Sequence, residues 1–278
     1  QGYAARDYAF RDISWETTTM TNVGIDLGFF NNKLNFTFDY YVRKTCDILM
    51  NLDIPSFMGY NNSPLRNAGV VENKGWELSL AFNDRIGDFS YRISANLSDV
   101  KNEIKDMKGI VNNFDDLYTN RAGYSINSIW GLEADGLFAS FNDARSYPVT
   151  QFGNLQGGDI KYKDQPTIDT DGDGIPDTGD GQITSEDYVV IGNTIPRYTY
   201  SFNLAAEYKN FDIELFFQGV GKRDGYLRDD LAWAFNNGAK VQQWQKDNMW
   251  KEGETNTWSI RLSVKLFGSK SLNVPLVA

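Results

Sequence analysis

Apolar and polar residues alternate with a period of two through much of this 278-residue chain. Leu34, Phe36, Phe38, Tyr40 and Val42 fall on one side, and Asn35, Thr37, Asp39, Tyr41 and Arg43 on the other. Trp76, Leu78, Leu80 and Phe82 alternate in the same way with Glu77, Ser79, Ala81 and Asn83. The pattern recurs from Phe89 to Ser98, from Tyr198 to Ala205 and from Trp258 to Leu266. Successive side chains of a strand point to opposite faces, so each run predicts a β-strand with one apolar and one polar face. The strands expected are 22–30, 33–45, 69–82, 88–103, 196–209 and 211–223, with the run from Trp258 as a further candidate. Asp229 to Trp250 has some helical spacing, interrupted at Gly238, and reads as a short loop helix. Its tryptophans suit packing inside the loop, with a ligand platform as the other reading.

Several runs exceed ten residues, whereas a globular strand averages about five or six. A tilted strand that spans a bilayer needs about nine to eleven. Tyr and Trp sit at the ends of the runs (Tyr40, Tyr41, Trp76, Tyr198, Tyr208, Trp258), as interfacial girdles require. A soluble sandwich with one wet face per sheet alternates too, but the connections favour a transmembrane barrel. Tight turns at Asn31-Asn32, at 83–87 and at Asn210 alternate with long connections over 46–68, 104–195 and 224–257. Short periplasmic turns and long extracellular loops build a barrel of this kind. Ile129 to Phe138 lacks clean alternation and reads as scaffold within the 104–195 loop. The fold class expected is all-β: an antiparallel transmembrane β-barrel, partial, with about seven or eight strands. The whole of 1–278 forms part of one barrel domain.

Composition narrows the chemistry. Lys and Arg number 27 against 37 Asp and Glu, a net charge of −10. A general nucleic-acid binder needs a cationic face, so none is expected. Histidine is absent, which excludes a Ser-His-Asp triad and a His-ligated zinc site. The single cysteine, Cys46, excludes an intramolecular disulfide and reads as a free thiol. No carboxylate pair outside the acidic loop described next suggests glycosidase chemistry, so an enzyme is not expected. Mean hydropathy is −0.47 and no run of 18 apolar residues exists. Neither figure bears on a β-barrel, whose faces average out. Gln1 to Phe10 has no apolar segment of a signal peptide.

Residues 169–187 read DTDGDGIPDTGDGQITSED. Asp169, Asp171 and Asp173 take positions 1, 3 and 5 of an EF-hand-style loop, and Gly174 takes position 6. The Ile175 carbonyl falls at position 7, Asp177 at 9 and Asp180 at 12. Hard oxygen ligands at this spacing suit Ca²⁺, and without a cation so many carboxylates repel one another. A solvated acidic loop is the other reading. Flanking helices are absent, so the expected Ca²⁺ is a structural staple and not a sensor.

With these features together, the chain resembles the C-terminal half of a SusC/RagA-type TonB-dependent outer-membrane transporter of the Bacteroidetes. The resemblance rests on Trp15-Glu16-Thr17, on Asn22 to Asp26, on Asp39-Tyr40-Tyr41 and on Thr45 to Leu49. Asn67 to Leu78 follows the family's N-x-G-x-x-x-N-x-G-x-E-L strand. Gly158 to Asp164 leads into the acidic loop, and Asp180 to Ile183, Asp187 and Ile191-Gly192-Asn193 lead out of it. Phe211-Asp212-Ile213 and Phe216 to Gly219 match the next strand. The family's acidic loop is more compact, so Asp164, Asp180 and Asp187 correspond to a family-type site and Asp169 to Asp177 to an added one. The match weakens from about Gly253, and the ending Pro275-Leu276-Val277-Ala278 departs from the family's terminal strand with its final aromatic, so 254–278 is the least defined part of the domain.

The resemblance implies a piece of an energised importer in the Gram-negative outer membrane. Its partners would be outer-membrane lipid, a SusD-like surface lipoprotein, and the TonB complex through an N-terminal region not in this chain. Its cargo would be an oligosaccharide or peptide, with carbohydrate uptake the leading case. A whole barrel of this type has about 22 strands, so these strands would be part of one. A passive porin and a soluble calcium-stabilised β module that binds polysaccharide are the competing readings.

Overall fold

The computed structural model describes residues 12–51, 64–114, 117–227, 235, 238, 240–253 and 255. The described residues contain twelve strands, β1 (Thr17–Phe29), β2 (Leu34–Asn51), β3 (Leu65–Ile86), β4 (Phe89–Asp106), β5 (Asn112–Phe114), β6 (Tyr118–Asn120), β7 (Ser128–Leu132), β8 (Ala134–Leu137), β9 (Ile160–Tyr162), β10 (Tyr188–Gly192), β11 (Arg197–Tyr208) and β12 (Phe211–Lys222). Two five-residue helices, α1 (Phe141–Arg145) and α2 (Gln243–Asp247), accompany them. The chain divides into two compact units, 1–128 with 193–224 and 129–192 with 225–278.

The first unit is built on one antiparallel sheet in the order β1-β2-β3-β4-β11-β12. Its register turns the sequence alternation into continuous rows. Leu27, Phe36, Leu80, Ala95, Phe202 and Phe217 are successive partners across all six strands. One residue along lies the row Asp26, Thr37, Ser79, Asn96, Ser201 and Gln218 on the opposite face. A slip of one residue in any pair would put charge into the apolar face, so the pattern fixes the register. Polar groups bond along their own face: Thr37 Oγ1 donates to Asp26 at 2.7 Å, Asn96 to Ser201 at 3.1 Å and Asn203 to Glu214 at 2.7 Å.

The apolar face is bare. The buried apolar side chains of this unit, among the described residues, are Ala68, Ile104, Met107 and Leu117, at or beyond one end of β3 and β4. Ile25, Leu80, Ile93, Leu215 and Phe217 are all exposed, Phe217 by 56%. The band runs from the Phe89–Tyr208 pair to the row of Tyr40, Trp76 and Asp99. Asp99 lies ten residues beyond Phe89 on β4. At about 3.3 Å per residue and a tilt of about 40°, the band is about 25 Å high. That matches the apolar belt of a bilayer-spanning barrel. Asp99 and Arg197 close the upper margin with a two-pronged ion pair, its Nη2–Oδ2 arm at 2.6 Å.

Glycine lets two aromatic rings lie flat across the strands. Tyr41 covers its partner Gly75, and Tyr200 covers Gly219, so a β-carbon at either glycine would overlap the ring. At the upper end β2 bulges between Thr45 and Ile48, where Asp47 takes φ +59°. The Asn67 side chain satisfies that bulge, donating to the Asp47 carbonyl at 2.6 Å, and it also bonds the Ser14 backbone in both directions at 2.9 Å.

The strands overrun the predicted ends. β2 continues to Asn51 and β3 begins at Leu65, so the 46–68 connection is shorter than expected. Ile129 to Phe138 is also more ordered than the pattern suggests. β7 pairs with β10 and β8 with β9, in the second unit. β7 does not alternate cleanly because it is buried on both faces over most of its length, and the β8–β9 register shifts between Ala134 and Leu137. The expected helix of 229–250 is α2 alone among the described residues. The expected strand from Trp258 lies outside them, as does nearly all of 254–278.

Candidate functional site

The second unit carries the acidic loop on a core of Ile129, Leu137, Phe138, Ala144, Ile160 and Ile183. Side chains do much of the backbone's bonding here. Gln151, buried, donates to the Ile160 carbonyl at 2.7 Å and accepts from the Tyr162 N–H at 3.1 Å. Asp143 accepts from the Ala139 N–H at 2.9 Å, which together with Lys161 holds its carboxyl below the usual range.

The acidic loop leaves this core at Ile168 and returns at Thr178, which face each other as an antiparallel bridge. Ile168 and Thr178 exchange N–H···O bonds of 2.9 and 3.1 Å. Within the loop, Asp169 accepts from the N–H groups of Gly172 and Gly174 at 2.7 and 2.8 Å. Those two donors, Gly174 foremost, lower the Asp169 carboxyl from its ordinary value. Gly172 and Gly174 have φ of +80° and +86°, a conformation that glycine adopts without strain. Asp171 and Asp173 accept from the N–H groups of Asp173 and Ile175. The chain therefore coils so that one carboxylate oxygen from each of Asp169, Asp171 and Asp173 lies within 4.8 Å of the others.

The other expected carboxylates lie outside this cluster. Asp177 accepts from the Thr170 hydroxyl at 2.6 Å, which lowers its carboxyl and turns it toward the loop base. The side chain of Ile175 is 68% exposed, and Asp180 accepts from the Gln182 N–H at 2.8 Å. Asp187 is 1% exposed and accepts from Gln165 and Thr184 N–H at 2.8 and 2.7 Å. It closes a capping box with Thr184 on the short 3₁₀ turn of 185–187. Asp164 lies under Gly179, accepts from the Gly181 N–H at 2.9 Å through Oδ2, and has a buried Oδ1 with no partner. The family-type residues are thus spread over a turn and a cap, while Asp169, Asp171 and Asp173 converge.

Sequence reasoning passed over Asp187 and Asp143 as caps, although both close an [S/T]-x-x-D signature, Thr184-Ser185-Glu186-Asp187 and Ser140-Phe141-Asn142-Asp143. Gln151 carries no such signal.

Comparison with known proteins decides the family. The TonB-dependent receptor-like β-barrel family model matches residues 1–266. The chain belongs to this family. Relatives include TonB-dependent receptor P3 of Formosa agariphila, 30% identical over 92% of this chain and 25% of the receptor. TonB-dependent receptor SusC of Bacteroides thetaiotaomicron is 29% identical over 74% of this chain and 21% of its own length. The structure of the RagAB peptide importer in its closed-closed state superposes with a TM-score of 0.58 at 25% identity, over 75% of this chain and 21% of that one. The chain thus spans about a quarter of the length of the curated relatives it matches. It is a portion of a SusC/RagA-type β-barrel of the outer membrane. The bare apolar face of the sheet is accordingly its lipid face, and the row from Asp26 to Gln218 its inner face. The soluble module is set aside.

Proposed function

We propose that the full receptor is an energised importer, and that this chain supplies six strands of its wall together with solute-facing loops. The observation that carries the reading is the two-faced register: one unbroken apolar row and one unbroken polar row across six strands. A wall of this kind separates lipid from an aqueous interior. The TonB complex would supply energy through a part of the receptor outside this chain, and a SusD-like lipoprotein would cover the extracellular mouth. A peptide cargo draws support from the peptide importer whose barrel this sheet matches, and an oligosaccharide cargo from the likeness to SusC. The test is uptake by cells that carry or lack the full receptor, offered labelled oligosaccharides and labelled peptides in parallel. Receptor-dependent uptake of one class, lost when TonB is removed, is expected. Uptake of both classes unchanged by loss of the receptor refutes the reading.

The acidic loop fits a structural Ca²⁺ in its donor chemistry, three converging carboxylates of hard oxygen. Asp169, Asp171 and Asp173 would hold it, with the Ile175 carbonyl as the expected fourth ligand. The ion would cancel the repulsion among these groups and staple the loop. Asp164, Asp180 and Asp187 are the alternative set, and the partnerless Oδ1 of Asp164 is the feature in their favour. Calorimetric titration of the full receptor with Ca²⁺ and Mg²⁺ separates the two. Heat with Ca²⁺ that disappears in D171A/D173A supports the first set; heat that survives supports the second. No heat at millimolar Ca²⁺ ends the proposal.

A further inference from the structure

Above the aromatic row the apolar band gives way to charge on the same face. Lys44, Lys74 and Lys101 continue the outward positions of β2, β3 and β4, and Lys105 lies further up β4. Among the described residues, two outward carboxylates, Glu72 and Glu103, stand among these four ammonium groups. Glu72 is shared by Lys74 at 3.0 Å and Lys105 at 3.4 Å, and Glu103 by Lys105 at 2.6 Å and Lys101 at 3.6 Å. The carboxylates lie low, with side chains 16% and 25% exposed, beneath Lys74 at 47% and Lys101 at 66%. What meets the surroundings is therefore cationic, on a chain whose net charge is −10.

Lys74 and Lys101 are also direct cross-strand partners. Like charges placed opposite each other destabilise a strand pair, and Glu72 and Glu103 offset only two of the four ammonium charges, so the surplus favours an anion over the pair. The two lysines stand two residues beyond Trp76 and Asp99, about 7 Å along the strand. That is headgroup depth in the leaflet facing the long loops.

We propose that Lys44, Lys74, Lys101 and Lys105 form a docking surface for the phosphate-bearing headgroup of an outer-leaflet lipid. Two features select a lipid over a soluble anion. The site is continuous below with the apolar band, where acyl chains would lie, and Trp76 and Tyr40 flank it at the interface. Arg197 is already committed to Asp99 at the margin of the patch. The proposal rests on the outer-membrane location and on no particular cargo.

The test uses the full receptor purified in neutral detergent. Bisphosphorylated lipid A, the same lipid without phosphates, and inorganic phosphate are titrated separately and followed by native mass spectrometry. Tighter binding of the phosphorylated lipid is expected, with at least a tenfold loss in K74Q/K101Q and no change in K33Q at a turn. Both variants should keep the heat-modifiable mobility of a folded barrel, since these lysines are exposed. Equal binding of the two lipids, or undiminished binding by K74Q/K101Q, overturns the proposal. Inorganic phosphate that competes as well as the lipid at equal concentration overturns it as well, assigning the patch to a free anion.

Discussion

The six-stranded sheet and the loop unit solve the same problem in opposite ways. In the sheet, backbone groups bond to one another along every ladder, and side chains are left to choose between lipid and water. In the loop unit the strands are three to five residues long. Side chains there complete the backbone: Asp187 holds two N–H groups, Gln151 bridges Ile160 and Tyr162, and Asp143 holds Ala139. The two bonds that Asp187 accepts from backbone N–H groups are therefore part of the loop unit's framework, whereas within the apolar band the polar groups of the sheet lie along its inner face. The difference teaches that residue type alone does not report role; the bonding regime of its surroundings does.

Adjacent residues of β3 break or sharpen this contrast most strongly. Leu80 sits in the apolar row and Ser79 in the polar one. Arginine on a lipid face near the bilayer midplane costs about 2–4 kcal/mol, while substitutions facing the interior tune selectivity. L80R should destabilise the full receptor in phospholipid vesicles by that amount, and S79R by much less. Equilibrium unfolding of both variants checks the expectation, and equal losses would show that the two faces are not distinguished by solvent.

Next in size is Asp187→Ala. It strips the acceptor from two backbone N–H groups at a site 1% exposed, and each unsatisfied buried donor costs about 1–3 kcal/mol. Hydrogen exchange at Gln165 and Thr184 should quicken while amides of β3 and β4 stay protected. If the sheet amides quicken equally, the bonds that Asp187 accepts are not a local support. Ser140→Ala is a milder version. It removes the N-cap acceptor of Asp143 N–H on α1, a loss of about 1 kcal/mol, and should speed exchange locally at α1.

This contrast also explains what could be read from the chain beforehand. The sheet was legible because lipid and water impose opposite demands on alternate residues, as in Leu34 to Val42, and no other contact competes. The upper end of β2 was not, because the bulge at Asp47 breaks the period-two signal after Thr45 while strand pairing continues to Asn51. The EF-hand-style spacing anticipated the convergence of Asp169, Asp171 and Asp173. It could not foresee that Asp177 turns to Thr170, a choice made by the Ile168–Thr178 base of the loop. The spacing of Asp187 does not show its part as a cap, which depends on Gln165, 22 residues away in sequence.

The smallest effect is invisible at neutral pH. Burial raises the Tyr162 phenol from 10.0 to about 12, with Tyr188, Tyr226 and Asp159 adding charge repulsion. Its backbone N–H is held by Gln151 and its carbonyl accepts from the Tyr147 hydroxyl. Below pH 10 the phenol is protonated in both the folded and the unfolded chain, so its full contribution to stability is present. Between about 10 and 12 the unfolded chain releases the proton and the native one holds it, so stability falls as pH rises. Ultraviolet difference absorbance should show fewer tyrosines ionising near pH 10 in the native receptor than in denaturant, Tyr162 among those deferred. In Y162F that deficit should shrink by one tyrosine, and the alkaline loss of loop protection should move to higher pH. An unchanged titration in Y162F would place the deferred phenol elsewhere and remove the claim that the loop core keeps water from this ring.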